Sequence, residues 1–270
     1  MSNLKRDYET ILVAEKDGIA TVMFNRPEKL NAMNPKMMQE LSSAISESMR
    51  DFSVKVVILT GAGRAFSAGG DVIEDIRPLR DMNLREWTEY RKFTTNLEQT
   101  FLQIVNMDKL VIAAINGLTL GAALELALCC DIRIASEEAQ LCEWFVRMGM
   151  TPLVGAYFLP RLVGVGRAKL IACTGDFIDA KEAERIGLVD KVVPGDKLMT
   201  TVEELARKIL DRPIQTVGLI KREINMSLKM DFESSLEYQS RLFYESVGTE
   251  DHRETVDAWI EKRKPILKGK

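Results

Sequence analysis

Histidine is nearly absent from this chain: there is one among 270 residues, His252, in the charged run Thr249-Glu-Asp-His-Arg-Glu254. A Ser-His-Asp or Cys-His relay, or a histidine-rich metal site, would have to be built around that residue alone. His252 opens an amphipathic C-terminal segment, where a solvated surface position is the simpler reading. Cysteine is also scarce. Cys129, Cys130, Cys142 and Cys173 form no Cys-x-x-Cys pair. They read as small buried hydrophobes in a reducing, cytoplasmic compartment, and not as a disulfide framework or a metal site. No apolar run reaches the ~18 residues needed to cross a bilayer. The N-terminal stretch has no apolar signal core, and its acidic residues argue against a transit peptide. Charge of one sign is lacking too: 37 basic and 40 acidic side chains give a net charge of −3. That balance points to neither nucleic acid nor an anionic membrane as a partner.

What the chain does have is an ordinary apolar fraction, 46%, enough for a substantial core. Apolar periodicity predicts paired strands over 8–13 and 19–24, joined by Lys16-Asp17-Gly18. A helix opened by Asn34-Pro35 runs to about Asp51. Val54–Thr60 is too apolar for a strand with one wet face, so it is expected to be buried on both sides. A long charged helix over about 84–107, a strand at 110–115, a helix over about 121–130 and a strand at 132–135 follow. Strand, helix, strand in that order predicts an α/β architecture. Residues 140–164 read as irregular, with Pro152 and Pro160 as breakers. The rest is mostly helical apart from a strand at 188–193. No internal sequence repeat is visible, and the division expected is a core over 1–194 and a helical region over 195–270.

Chemistry concentrates in Asn116-Gly-Leu-Thr-Leu-Gly-Ala-Ala-Leu-Glu-Leu-Ala127. A Gly-Ala turn between a buried strand and a helix presents backbone N–H groups that can hold a developing oxyanion. Glu125 lies one helical turn away. Donors beside a carboxylate suit chemistry on a carbonyl compound that passes through an enolate. The bland alternative is a Glu that complements the helix dipole. Of the other glycine-rich segments, Gly61-Ala-Gly-Arg64 is neither a dinucleotide fingerprint nor a phosphate loop. Ser67-Ala-Gly-Gly-Asp71 is a tight turn whose glycines let a ligand approach the backbone.

These segments resemble the crotonase (enoyl-CoA hydratase/isomerase) superfamily over nearly the whole chain. The motifs, in order, are Asn25-Arg-Pro27 with Leu30-Asn-Ala-Met33, Leu59–Asp71, Ile112–Asp131, Leu159–Gly164, Thr174-Gly175 through Val189, and Glu261–Pro265. The resemblance implies a spiral of ββα units with a C-terminal helical layer, assembled as trimers or hexamers, and a coenzyme A thioester substrate with no separate cofactor. It implies an oxyanion hole from the N–H groups of Gly70 and Ala122, with Glu125 as acid/base. The CoA moiety is expected against Arg26, Lys29, Leu30 and Ala32, against Ser67, Ala68, Gly69, Asp71 and Val72, and against Gly121 and Phe145. Adenine lies along Ser67–Val72 in this reading, phosphates meet Arg26 and Lys29, and Lys262 or Lys264 reaches over from a neighbouring subunit. Residues 72–107 match no motif and are the expected wall of the acyl pocket.

One departure stands out. The family's hydratases carry a second glutamate four residues before the position of Gly149, which here is Phe145; Glu143 lies two residues earlier, where the family is not catalytic. Leu153 stands where some isomerases of the family carry an acid. Three functions therefore remain open on the sequence. The first is a hydratase-type lyase working through Glu125, on a bulky or cyclic enoyl thioester stacked on Phe145. The second is another reaction of the family: isomerisation, thioester hydrolysis or decarboxylation. The third is an acyl-CoA-binding protein without turnover.

Overall fold

The computed structural model describes residues 3–4, 8–80 and 82–269. Two sheets organise it. The larger has seven strands: β1 (Asn3–Leu4), β2 (Ile11–Lys16), β3 (Ile19–Phe24), β4 (Val56–Gly61), β6 (Leu110–Ile115), β8 (Ile132–Ser136) and β11 (Lys191–Val193), side by side in that order. β1, β2 and β3 are antiparallel, and every pairing from β3 to β11 is parallel. The smaller sheet holds β5 (Ala65–Ser67), β7 (Leu118–Leu120), β9 (Gln140–Cys142) and β10 (Ile178–Asp179). Its β5, β7 and β9 are parallel; β10 closes the edge antiparallel to β9.

The chain moves between the sheets in a repeated step. A strand in the large sheet is followed by a short strand in the small one and then by helix: β4–β5, β6–β7, β8–β9. This is the expected ββα spiral, although no sequence repeat announces it. After β3 comes α1 (Pro35–Arg50), and after β5 come α2 (Arg77–Arg80) and α3 (Leu84–Asn106). α4 (Ala122–Cys129) follows β7, and α5 (Gly155–Val163) and α6 (Val165–Thr174) follow β9. α7 (Ala180–Arg185) precedes β11, and α8 (Leu198–Leu210), α9 (Ile214–Ser227), α10 (Phe232–Val247) and α11 (Glu250–Ile260) complete the chain.

All six residues of β4 are buried, as the apolar run Val56–Leu59 within it requires. Side chains alternate between faces along a strand. Val57, Leu59, Val111, Ala113 and Ile115 therefore join the core shared with α1, α3 and α4, while Val56, Ile58, Ile112 and Ala114 pack beneath Leu198, Val202 and Ala206 of α8. The helical region after residue 194 thus begins with a helix that covers the sheet.

Three expectations change. Residues 140–164 are ordered into β9, a 3-10 turn over Trp144–Met148, and α5. Pro160 sits inside α5 without ending it. Cys173 is exposed on α6, unlike the other three cysteines. The expectation that 72–107 walls the acyl pocket falls partly on side chains outside those described, among them 87–95.

The helical layer is tied to the core by one buried cation. Lys221 of α9 donates through Nζ to the carbonyls of Ile104 (2.7 Å) and Lys109 (2.9 Å) and to Asp131 Oδ2 (2.8 Å). Asp131 also accepts from the Val111 N–H at 2.7 Å. Removing one member of such a pair leaves the other charge buried and uncompensated. Lys221→Met is expected to cost about 3–5 kcal/mol, measured as a lowered denaturant midpoint at unchanged m-value.

Candidate active site

The site forms at the carboxyl ends of β5, β7 and β9, where parallel sheets commonly place ligands. Registers decide what meets there. Ser67 pairs with Thr119, and Thr119 and Leu120 pair with Leu141 and Cys142. Continuing each strand by a residue or two brings Gly69-Gly70, Gly121-Ala122 and Glu143 together. Gly69 and Gly121 adopt positive φ, +81° and +47°, a backbone that side-chained residues rarely take. A Cβ on Gly69 would lie 2.5 Å from the Leu120 carbonyl oxygen and 3.5 Å from the Ala122 nitrogen. The two backbones therefore run in direct contact, as the two expected oxyanion donors require.

Gly70 is held from its other side. The Met33 N–H donates to the Gly69 carbonyl (2.7 Å), and the Asp71 N–H to the Met33 carbonyl (2.9 Å). In this parallel bridge the groups of residues 69 and 71 face Met33, and the N–H of Gly70 points away from it. Gly121 donates its own N–H to the Cys142 carbonyl at 2.9 Å. Ala122 then begins α4, and its N–H is one of the free donors at a helix N-terminus.

α4 is buried along its entire length, and Glu125 is its one charged residue. Glu125 Oε1 accepts from the N–H groups of Val154 and Gly155, both at 2.8 Å, at the start of α5. Its Oε2 has no hydrogen-bond partner among the described residues. Beside it lies Glu143, fully buried, with neither carboxylate oxygen hydrogen-bonded among the described residues. The two acids flank one point: a Cβ on Gly155 would stand 2.6 Å from Glu143 Oε1 and 3.3 Å from Glu125 Oε1. Gly155 leaves room for both.

Burial raises both carboxyls above the ordinary range. For Glu125 the N–H groups of Gly155, Val154 and Leu153 oppose the shift. For Glu143 nothing opposes it. Burial first and the neighbouring Glu125 charge second push it to about 8. Of the two, Glu143 is therefore held more firmly in its protonated form, because only Glu125 is offered donors that stabilise its anion.

Phe145 stands four residues before Gly149, as the sequence reading has it, and Glu143, two residues earlier, is the acid that lies beside Glu125. Phe145 lies over the start of α4, its ring 3.7 Å from where a Gly121 Cβ would be. The signal in the sequence was a lone acid between apolar Cys142 and Trp144. Val154 and Gly155, whose N–H groups grip Glu125, were not singled out.

The two expected CoA loops are bonded to each other. Ala68 N–H donates to the Leu30 carbonyl (2.9 Å), and Ser67 Oγ to the Asn31 carbonyl (2.7 Å). Lys29 and Val72 are exposed on this surface, and Lys262 is exposed beyond α11. Arg26 does not face solvent as a phosphate ligand would. Its guanidinium donates to the Ala32 carbonyl (2.7 Å), Asp71 Oδ2 (3.0 Å) and Glu74 Oε1 (2.9 Å). Arg26 and Asp71 brace the loops around Gly70, and Ser67 is turned inward. Among the described residues no cluster of His, Cys, Asp or Glu could hold a metal ion, and no helix is long and apolar enough to cross a membrane.

Residues 14–270 match the family model described as enoyl-CoA hydratase/isomerase. The chain is 42% identical to the short-chain-enoyl-CoA hydratase of Clostridium acetobutylicum over 256 residues, 94% of this chain and 95% of that protein. It is 38% identical to the crotonyl-CoA hydratase of Syntrophomonas wolfei over 95% of this chain and 97% of the relative. It is 32% identical to the 1,2-epoxyphenylacetyl-CoA isomerase of Escherichia coli over 97% and 99%. The crystal structure of an enoyl-CoA hydratase from Bacillus anthracis superposes with a TM-score of 0.90 at 34% identity, covering 97% of this chain and all of that one.

Folded-state protonation of Glu143 has a consequence for stability. Between its ordinary value and about 8 the folded state binds a proton that the unfolded chain has released. Stability conferred by that proton is full at acid pH and is lost as pH rises through this window. Glu143→Gln cannot titrate. Its denaturant midpoint should vary less between pH 5 and 8 than that of the wild type, and the two curves should separate most at the alkaline end.

Proposed function

Because the chain belongs to the crotonase (enoyl-CoA hydratase/isomerase) superfamily and is an acyl-CoA enzyme of that family, we propose that it adds water reversibly across the double bond of a 2-enoyl-CoA thioester. The observation that carries this reading is the buried pair Glu125 and Glu143, two carboxyls that flank one point. Hydration needs a base for water and an acid for the α-carbon, and two carboxyls whose environments separate their protonation supply both. The names of the two hydratase relatives support it.

In this mechanism Glu125 Oε2 takes a proton from water. The water oxygen bonds to the β-carbon, and the π electrons of the alkene move toward the thioester. Its oxygen becomes an enolate oxygen held by the N–H groups of Gly70 and Ala122. Glu143 then delivers its proton to the α-carbon as the enolate collapses. Transfer of the proton from Glu125 to Glu143 restores the pair. One oxyanion donor is typically worth about 10²–10³ in rate. Phe145 and Trp144, packed over Gly121, form an apolar wall on which the acyl group can rest. Exposed Lys29 is the candidate phosphate contact, and the 67–72 backbone the adenine contact.

A second reading is isomerisation. The same pair can remove a proton from one carbon and return it to another, and the isomerase relative favours keeping it in view. Product analysis in ¹⁸O-labelled water separates the two: hydration incorporates label into a 3-hydroxyacyl product, isomerisation incorporates none. Free thiol release identifies hydrolysis, and gas release decarboxylation.

We also propose a homotrimer or hexamer. Of the apolar residues on the C-terminal helices, Leu242 is buried within its own chain, whereas Phe243, Trp259 and Ile260 are 61%, 85% and 71% exposed. Large apolar side chains left exposed in this way are what an association surface would cover. Light scattering at micromolar concentration should return a mass three or six times that of the chain; a monomer mass removes this assignment.

For the reaction, Glu125→Gln and Glu143→Gln should each lower turnover of crotonyl-CoA by at least about 10²-fold while leaving binding of CoA unchanged. The wild-type rate should fall as pH rises through about 8, because the protonated form of Glu143 is the working acid. Near-full activity in either variant defeats the mechanism.

A further inference from the structure

We propose that Arg147 is a positioning residue for Glu143, acting through the carbonyl of Gly175; this rests on the reading of Glu143 as a working carboxylate. The two acids of the site are held in different ways. Glu125 is gripped directly by two backbone N–H groups. Among the described residues Glu143 has no hydrogen-bond partner on either oxygen, so the turn that carries it sets its place.

That turn is clamped at both ends by one oxygen. The Gly175 carbonyl accepts from Cys142 Sγ (3.0 Å), immediately before Glu143, and from Arg147 Nε (2.7 Å), four residues after it. Arg147 also stacks over Trp144, its guanidinium carbon 4.9 Å from the ring centroid, and Trp144 in turn lies 5.8 Å from the Phe177 ring. Its second contact, Nη2 to Asp176 Oδ1 at 3.1 Å, is exposed. Gly175 itself allows the clamp. It has φ +60°, and a Cβ there would stand 3.0 Å from Val146 Cγ1 and 3.2 Å from Arg147 Cγ. On the inner side the same segment is fastened to α4 by the Gly121 N–H on the Cys142 carbonyl. Arg147 thus closes the outer edge of the loop whose inner edge holds Glu143 against Glu125.

The groups facing Glu143 are Glu125 from α4 and the adjoining Cys142, whose thiol burial pushes up to about 11. Arg147 and Asp176 lie outside them. Loosening the turn should let water reach Glu143 and should misplace it relative to the α-carbon.

The test uses the full-length protein with Arg147→Met, which keeps the aliphatic stem, Arg147→Lys, which keeps charge without the planar donor fork, and Asp176→Asn. Four quantities are read: kcat and KM for crotonyl-CoA, the infrared titration of the protonated carboxyl band assigned by its loss in Glu143→Gln, and the thermal midpoint. Arg147→Met should lower kcat about tenfold or more, as a displaced catalytic group does, with KM little changed. Its carboxyl titration should move toward the ordinary carboxylate range. Arg147→Lys should fall between, and Asp176→Asn should behave as wild type because exposed ion pairs contribute little. Unchanged kcat and titration in folded Arg147→Met overturn the proposal. So does an equal effect in Asp176→Asn, which would assign the role to the surface ion pair. Should Arg147→Met fail to fold, an unmoved titration in Arg147→Lys overturns it. Full activity in Glu143→Gln, with the Arg147→Met titration still shifted, would instead defeat the hydration mechanism and leave the positioning intact.

Discussion

The parallel register of three short strands, β5, β7 and β9, is the constraint on which the site depends. Each contributes only three residues to the small sheet, yet their pairing aligns the segments that leave their carboxyl ends. From β5 comes Gly69-Gly70, from β7 Gly121-Ala122 and then Glu125, and from β9 Glu143. A slip of one residue would turn every side chain to the opposite face, carrying Glu143 away from Glu125. The large sheet and its covering helices keep that register. β4, β6 and β8 are the stems from which the three short strands spring, and they are packed on both faces.

The second governing effect is desolvation, applied unequally. Both acids are buried, but only Glu125 is offered backbone donors. Two N–H groups at the start of α5 stabilise its charge, while Glu143 receives none and is further disfavoured as an anion by the charge beside it. Two residues of the same type are thereby given different affinities for a proton. The space for this comes from Gly155, which supplies one of the N–H groups and, by lacking a Cβ, lets both carboxyls approach.

Structural ion pairs serve the same geometry from a distance. Arg26, expected to meet phosphate, instead joins Asp71, Glu74 and the Ala32 carbonyl, bracing the loop in which Gly70 sits. Lys221 fastens α9 to the ends of α3 and β6 and to Asp131 behind α4. In each case a buried or half-buried cation is satisfied by several oxygens, which is the condition under which such a group is tolerated inside a protein.

The sequence by itself determined the long elements and the family. The apolar run at 56–59, the Asn34-Pro35 helix start and the strand–turn–helix at 110–129 have periodicities or caps that local sequence cannot hide. Glu125 and Ala122 lie in the last of these and Gly70 in the glycine-rich turn after β5, so their places in the fold were legible. The small sheet was not legible, because three-residue strands are too short to show a period. Pro160 looked like a breaker although its helix tolerates it. That Glu143 lies beside Glu125 was not legible either, because their juxtaposition is set by the pairing of Leu141 and Cys142 with Thr119 and Leu120, residues more than twenty positions apart. Which acid faces which is a property of strand register, and register is a long-range contact that only the tertiary structure decided.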